Sequence, residues 1–210
     1  MYLGPMGNHM WRGRDADQNL MDLLLASDSA LSKVYHLQID ESIGMTREMV
    51  LKTGPHLTAL RVYINRPRSY SGIHNWLEYP SQYGISACQA LTHLHIMAEN
   101  INTEQDPYPY FITVLAMLRA APSSLPDVII SFDGSTTRYN AWQGLLWEEL
   151  QREVCSRDAL TEMYIIEPLL VDDNTVLVPT DVNIRARLPF ALAKFGDQFL
   201  ERSGLYDLYD

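Results

Sequence analysis

Two histidines lie one residue apart near the middle of this chain, in a pattern that could bind a metal ion or transfer protons. His93 and His95 flank Leu94, and residues two apart in an extended strand point to the same face. Imidazole nitrogens bind transition metals, and histidine also acts as an acid or a base near neutral pH. Asp127 would add a third ligand if its strand lay beside theirs. One hypothesis is therefore a metal or acid/base site around His93, His95 and Asp127.

Other features favour a protein that is not an enzyme. A histidine pair without a cysteine or a third motif falls short of a metal-site signature, so two exposed histidines on a polar sheet face are the simpler interpretation. The sequence contains no G-x-S-x-G, G-x-x-x-x-G-K-[ST], G-x-G-x-x-G or H-E-x-x-H motif. Asp133-Gly134-Ser135 is typical of a turn. We therefore expect no catalytic residues, no metal and no cofactor.

Composition restricts the classes of partner and the compartment. The 210 residues have a net charge of −10, which disfavours nucleic-acid binding. No apolar run is long enough to span a membrane, and the first residues lack the apolar region of a secretory signal. Cys88 and Cys155 lie far apart and are expected to be small apolar side chains in a reducing compartment. We expect an intracellular protein, cytoplasmic or nuclear.

A short apolar pattern recurs along the chain and indicates which elements position these residues. Five segments share the order apolar-x-x-apolar-x-apolar, and their first residues step by 23, 34, 34 and 35 positions. The second half of each segment alternates as a half-buried strand does, and the longer steps leave room for a return helix, which makes the strands parallel. The segments begin at Val34, Leu57, Leu91, Leu125 and Leu160.

Helical signals lie between these strands. Asp106-Pro107 is typical of a helix start, and Pro122 predicts an end just before it. A shorter helix is expected over residues 45–52, and another opens near Asp15 or Asp17. Apolar stripes at helical spacing are Phe111, Val114, Leu115 and Leu118; Trp142, Leu146, Leu150 and Val154; and Leu188, Leu192, Phe195 and Phe199, the last expected to end at Gly204.

These elements predict an α/β fold, namely an irregular leucine-rich-repeat-like solenoid with about five parallel strands on one face and helices on the other. A compact doubly wound α/β domain is the alternative. The outward positions of the first three strands are largely polar, whereas a sheet covered on both faces needs nearly continuous apolar strands, so we favour the solenoid. We expect a flexible leader over residues 1–14, one repeat domain over 15–204 and a tail over 205–210.

Parts of the chain are similar to a known family. The run LAMLRAAPSSLPDVIISFDG at 115–134 resembles the "helix, Pro, Leu-x-x-Leu-x-Leu" step of F-box-type leucine-rich-repeat proteins. A Trp-x-x-Leu-x-x-x-Val helix at 147–154, followed by Leu-x-x-Met-x-Ile at 160–165, resembles a pattern of F-box-like proteins from basidiomycete fungi. Leu188-Pro189 onward resembles their closing helix. The resemblance covers roughly residues 31–204.

Two features of that family have no counterpart in the sequence. Residues 1–30 do not match the Leu-Pro-x-Glu-like motif of an F-box, and the Asn or Cys ladder of regular leucine-rich repeats is missing. The resemblance therefore implies a substrate-recognition part without its adaptor-binding part. The adaptor of a ubiquitin ligase would be a partner only if an F-box exists upstream.

If the strands align in register, their outward residues form three rows. The first row is His36, Ala59, His93, Asp127 and Glu162; the second is Gln38, Arg61, His95, Ile129 and Tyr164; the third is Asp40, Tyr63, Met97, Ser131 and Ile166. Repeat proteins bind partners along such faces, and Tyr, Arg and Met are enriched at interfaces. The predicted protein-binding residues are Arg61, Tyr63, His95, Met97, Ile129, Tyr164 and Ile166.

Two interpretations of these rows remain open. Ile129, Tyr164 and Ile166 would form an apolar patch that anchors a partner protein, or residues 167–184 or the tail would cover that patch. In the first row, Asp127 and Glu162 are expected to form a solvated acidic patch that holds His93 protonated at mildly acid pH.

Overall fold

Six parallel strands form the main sheet, and they lie side by side in the order in which they occur in the chain. The computed structural model describes residues 2–3, 25–40, 46–64, 84–98, 108–132, 147–166, 171–172, 175–176 and 188–196. The strands are β1 (Tyr2–Leu3), β2 (His36–Asp40), β3 (Ala59–Ile64), β4 (His93–Ala98), β5 (Asp127–Phe132) and β6 (Glu162–Ile166). This parallel sheet, with helices between its strands, confirms the α/β class.

The strand order is relevant to the doubly wound alternative. A doubly wound sheet reverses its order at a switch point, where its ligand binds. The six described strands of the main sheet follow one another from β1 to β6 without such a reversal. The five predicted strands also pair in the predicted register, so that Leu37, Leu60, Leu94, Val128 and Met163 are aligned across the sheet.

Helices occupy the predicted intervals between the strands. They are α1 (Asp28–Leu31), α2 (Thr46–Thr53), α3 (Tyr108–Ala120), α4 (Trp147–Cys155) and α5 (Pro189–Phe195). Two short 3-10 turns, Gly54–His56 and Ile85–Ala87, precede β3 and β4. A Cβ added to Gly54 would lie 3.1 Å from the backbone of Ala87, so this glycine allows the two turns to stack closely.

One hydrophobic core joins one face of the sheet to the described helices. It contains the inward residues of β2 to β6 together with apolar residues of α2, α3, α4 and α5. The ring of Phe111 in α3 meets that of Trp147 in α4 edge to face, with 4.8 Å between their centroids. Cys88 and Cys155 are free, and burial raises the pKa of the Cys88 thiol to about 12. Trp147 is buried and packs in this core.

Some predicted boundaries need correction or lie outside the described residues. Helix α5 ends at Phe195 rather than at Gly204, because Gly196 adopts a φ of 77° and returns its N–H to the carbonyl of Leu192. Strand β1 lies within the predicted leader, and the antiparallel pair β7 (Val171–Asp172) and β8 (Thr175–Val176) lies within residues 167–184. The rest of the leader, the tail, Trp142, Leu146 and the turn at residues 133–135 lie outside the described residues.

A ladder of three threonines joins neighbouring strands at the residues that precede β3, β4 and β6. The carbonyl of Tyr35 accepts the N–H groups of Thr58 and Ala59 and the Thr58 hydroxyl, at 2.8, 3.1 and 3.1 Å. Thr92 donates in the same way to the carbonyl of Thr58, and Thr161 to the carbonyl of Pro126. These threonines satisfy backbone carbonyls at the amino ends of neighbouring strands.

Replacing Thr92 with valine is expected to lower the free energy of unfolding by about 1 kcal/mol, since the substitution keeps the shape but removes the hydroxyl that bonds Thr58 and His93. The hydroxyl lies 3.0 Å from the carbonyl oxygen of Thr58. Urea unfolding would measure the change. The matched variant Thr161→Val removes a longer bond of 3.3 Å and should cost less. Equal stability of Thr92→Val and the wild type would contradict an energetic role for the ladder.

Two basic side chains donate hydrogen bonds to carbonyl groups at the ends of helices that precede them in the chain. Arg157 is 8% exposed, and its guanidinium donates to the carbonyls of Leu118, Ala121 and Pro122 at the end of α3. Lys194 donates to the carbonyls of Val154 and Arg157 at the end of α4, at 3.2 and 2.6 Å. We call these two contacts the basic caps. They add donors to carbonyls in the last turn of each helix and in the residues that follow it.

Candidate functional site: the outward face of the sheet

The outward residues of the strands form the three predicted rows. Register places His36, Ala59, His93, Asp127 and Glu162 side by side in the first row, and the second and third rows follow in the predicted order. The described helices pack against the opposite face, because the core cluster contains the inward residues and omits Met97 and Ile129. The face predicted to bind a partner is therefore distinct from the one that the described helices cover.

The first row lies at the amino ends of the strands and is the most accessible of the three. His36 and Glu162 are exposed, and the His93 side chain is 47% exposed. Tyr35, immediately before β2, adds an exposed ring. Asp127 differs from these residues, since its side chain is 14% exposed. The row thus offers two histidines at one end and two carboxylates at the other.

The centre of the second and third rows is buried, which corrects part of the predicted site. His95, Met97 and Ile129 are each 4% exposed or less. Ser131 is also buried, and its hydroxyl oxygen lies 2.6 Å from His95 Nε2. The prediction of a solvent-exposed face is therefore wrong at these positions. The outward alternation of polar residues does not reveal it, because burial of a sheet face depends on segments distant in sequence.

The remaining predicted binding residues are partly accessible. Arg61, Tyr63 and Tyr164 are half-buried, and Tyr63 accepts a hydrogen bond from the Gln38 amide at 2.5 Å. Ile166 lies in β6, but its side chain lies outside the described residues. The apolar patch of Ile129, Tyr164 and Ile166 is thus assembled by register, yet its Ile129 member is buried.

A buried hydrogen-bond chain crosses the middle of this face. The Nε–H of Arg61 donates to Nδ1 of His95 at 2.9 Å, so Nδ1 has no proton. Because a neutral imidazole then holds its proton on Nε2, that nitrogen donates to the Ser131 hydroxyl oxygen. Burial, with a further contribution from the Arg61 charge, lowers the pKa of His95 to about 3. His95 is therefore neutral at pH 7, in a tautomer fixed by its two neighbours.

This tautomer determines what the pair of His95 and Ser131 can do. A general base must accept the proton of the nucleophile, and it works best with a pKa near the operating pH. Here Nε2 already holds a proton where it meets Ser131, and the pKa lies far below neutrality. The arrangement is suited to holding the two strands in place rather than to activating a serine.

The metal hypothesis can be compared with the same geometry. His93 Nε2 lies 3.8 Å from Asp127 Oδ2, so the structure brings the two predicted partners together. His95, the other proposed ligand, has both ring nitrogens engaged by Arg61 and Ser131. In the part of the chain that the structure describes, no group of three or more His, Cys, Asp or Glu side chains is placed to hold a metal ion.

Replacing His95 with glutamine is expected to reduce the acid sensitivity of the fold. The unfolded chain binds a proton at His95 near pH 6.5, whereas the folded chain does so only near pH 3. The folded state therefore loses stability as the pH falls through this window. Between pH 6.5 and 4 the wild type should lose about 2–3 kcal/mol more than the variant, as urea unfolding would measure. Equal losses in both proteins would contradict a buried neutral imidazole.

The geometry defines an α/β chain whose parallel sheet follows chain order and whose outward face has an accessible first row beside a buried polar centre. In comparisons with known proteins, no family model, no curated protein and no solved structure matches this chain. No helix in the described part of the chain has the length and apolar character needed to cross a membrane.

Proposed function

We propose that this chain is a protein-binding scaffold, built as an irregular leucine-rich-repeat-like solenoid and corresponding to the substrate-recognition part of a fungal F-box-like protein. The observation that supports this most is the sequential parallel sheet, in which each strand pairs only with the strands before and after it in the chain. An array of this kind presents one long face to a partner. The threonine ladder supports it further, because it joins neighbouring repeats by a recurring contact.

The first row is the surface that we propose for the partner. Its residues are exposed at both ends, and Tyr35 and Tyr164 add aromatic rings of the type enriched at interfaces. Arg61 and Tyr63 lie beside it and are half-buried. His95, Met97 and Ile129 have a different role in this proposal, since side chains so deeply buried support the face from within.

The buried pair of His95 and Ser131 supports a non-catalytic function. An enzyme built around His93, His95 and Asp127 would need His95 to exchange protons or bind a metal near neutral pH. Instead, Arg61 and Ser131 occupy both of its nitrogens. The adaptor of a ubiquitin ligase would be a partner only if an F-box exists upstream.

Affinity capture with paired variants would test the proposal. The immobilised chain would be incubated with a basidiomycete lysate, and captured proteins would be quantified by mass spectrometry. Tyr35→Ala and Glu162→Lys alter the first row and its edge. Phe190→Ala and Glu148→Lys are the matched controls: they remove an aromatic ring and reverse a charge at exposed positions of α5 and α4. We expect discrete proteins whose capture falls at least about tenfold, or 1.4 kcal/mol, in the first pair only.

Two results would contradict this. Capture that is lost in the helix variants but not in the sheet variants would place binding on the other side of the molecule. Capture that is the same for all five proteins would indicate adsorption without a defined interface. Circular dichroism of each variant would show that its fold is retained.

A further inference from the structure

Asp127 is in an unusual position for a carboxylate, because it is largely buried between two other titratable groups. Register places it directly between His93 on β4 and Glu162 on β6. Its Oδ2 atom lies 3.8 Å from His93 Nε2. Its Oδ1 atom is buried and has no hydrogen-bond partner. One oxygen of this carboxylate is therefore buried without a donor from the protein.

The neighbours of Asp127 act on its charge in opposite directions. Burial and the negative charge of Glu162 both disfavour the ionised carboxylate, whereas His93 favours it. His93 itself is held from the other side by the Thr92 hydroxyl, 2.8 Å from its Nδ1. Because His93 is almost half exposed, water screens its attraction for Asp127. Burial and the glutamate therefore outweigh the histidine.

We propose that Asp127 is a proton-operated switch in the sheet: it takes up a proton from solvent as the pH falls below neutral, and the amino ends of β4, β5 and β6 become more stable as it does so. The switch is a property of the free chain and does not depend on the proposed partner. Its sensitive range would lie in mildly acid conditions, and it would act on the same row of residues that is most accessible at the surface.

The direction of the pKa shift agrees with this geometry. Burial, and then Glu162, raise the pKa of Asp127 from 3.8 to about 6 against the lowering effect of His93. The folded chain therefore binds this proton at a higher pH than the unfolded chain. The stability associated with Asp127 is fully present below pH 3.8 and is lost as the pH rises through about 6. His95 has the opposite sign, so the two groups must be measured separately.

A site-resolved titration would test the switch in the wild-type chain. The carboxyl carbon of Asp127 would be followed by carbon-13 NMR from pH 7.5 to 4, at a temperature where the chain stays folded. We expect a midpoint near pH 6. A midpoint below about 5, within the ordinary spread for aspartate in folded proteins, would overturn the proposal.

Two variants test the named neighbours without altering Asp127. Glu162→Gln removes a negative charge and should shift the midpoint down, whereas His93→Gln removes the stabilising imidazole and should shift it up. Shifts in the same direction, or none in either, would overturn the assignment.

A third measurement tests the effect on stability. The melting temperature of the wild type minus that of Asp127→Asn should rise as the pH is lowered from 7 to 5. A difference that stays constant over this range would overturn the link between this proton and the fold.

Discussion

Replacing Phe111 with alanine is expected to lower the free energy of unfolding by about 3–5 kcal/mol, the usual cost of deleting a fully buried phenyl ring. Phe111 is completely buried in α3, and its ring meets the ring of Trp147 at an angle of 72°. The substitution removes this contact and leaves a cavity between α3 and α4. Urea unfolding with an unchanged denaturant dependence would measure the loss.

Phe190 provides the matched control for this prediction. It is the same residue type in α5, but it is 69% exposed. Phe190→Ala should change the unfolding free energy by less than about 0.5 kcal/mol, as surface substitutions usually do. Similar losses in the two variants would show that the core between α3 and α4 is not packed as described.

Replacing Arg157 with methionine is expected to cost about 3 kcal/mol, because three carbonyls at the end of α3 would each lose one donor and Glu153 would lose its buried charged partner. The guanidinium contacts Pro122 at 3.0 Å and also binds Glu153 through two nitrogens, at 2.9 and 3.0 Å. Methionine fills much of the same space without donating a hydrogen bond. Thermal and urea unfolding would both report the loss.

Two further variants separate the role of this arginine from a general effect of charge. Arg119 also pairs with Glu153, but it is 47% exposed, and Arg119→Met should cost less than about 1 kcal/mol. Arg157→Lys keeps the charge but not the planar fork that reaches several acceptors at once, so it should be intermediate. If Arg157→Met were no less stable than Arg119→Met, the basic cap would have no energetic role.

The strands and their register could be predicted from the sequence, because both depend on local periodicity. Leu94 and Ile96 alternate with polar neighbours, and the same two-residue period recurs at each interval of the pattern. Helix α3 could also be predicted, since a proline lies near each of its ends. The sequence pattern does not predict the end of α5 at Phe195, because the apolar stripe continues past Gly196 to Phe199.

The candidate site was harder to predict because it depends on contacts between distant segments. The order of the rows was correct, but burial of Met97 and Ile129 could not be read from their own strands. The burial of Arg157 could not be predicted either, because its carbonyl acceptors lie 35 to 39 positions earlier in the chain. One signal in the sequence does indicate the ladder: a threonine directly follows the first leucine of three of the apolar segments, at positions 58, 92 and 161.

The basic caps have a consequence for how the chain matures during synthesis. Each donor lies later in the sequence than the helix it closes: Arg157 is 39 positions after Leu118, and Lys194 is 40 positions after Val154. As the chain leaves the ribosome, the sequence of each of these two helices is therefore complete before its donor has been synthesised. Truncation before Arg157 or before Lys194 would remove the donor and leave the end of α3 or α4 less stable.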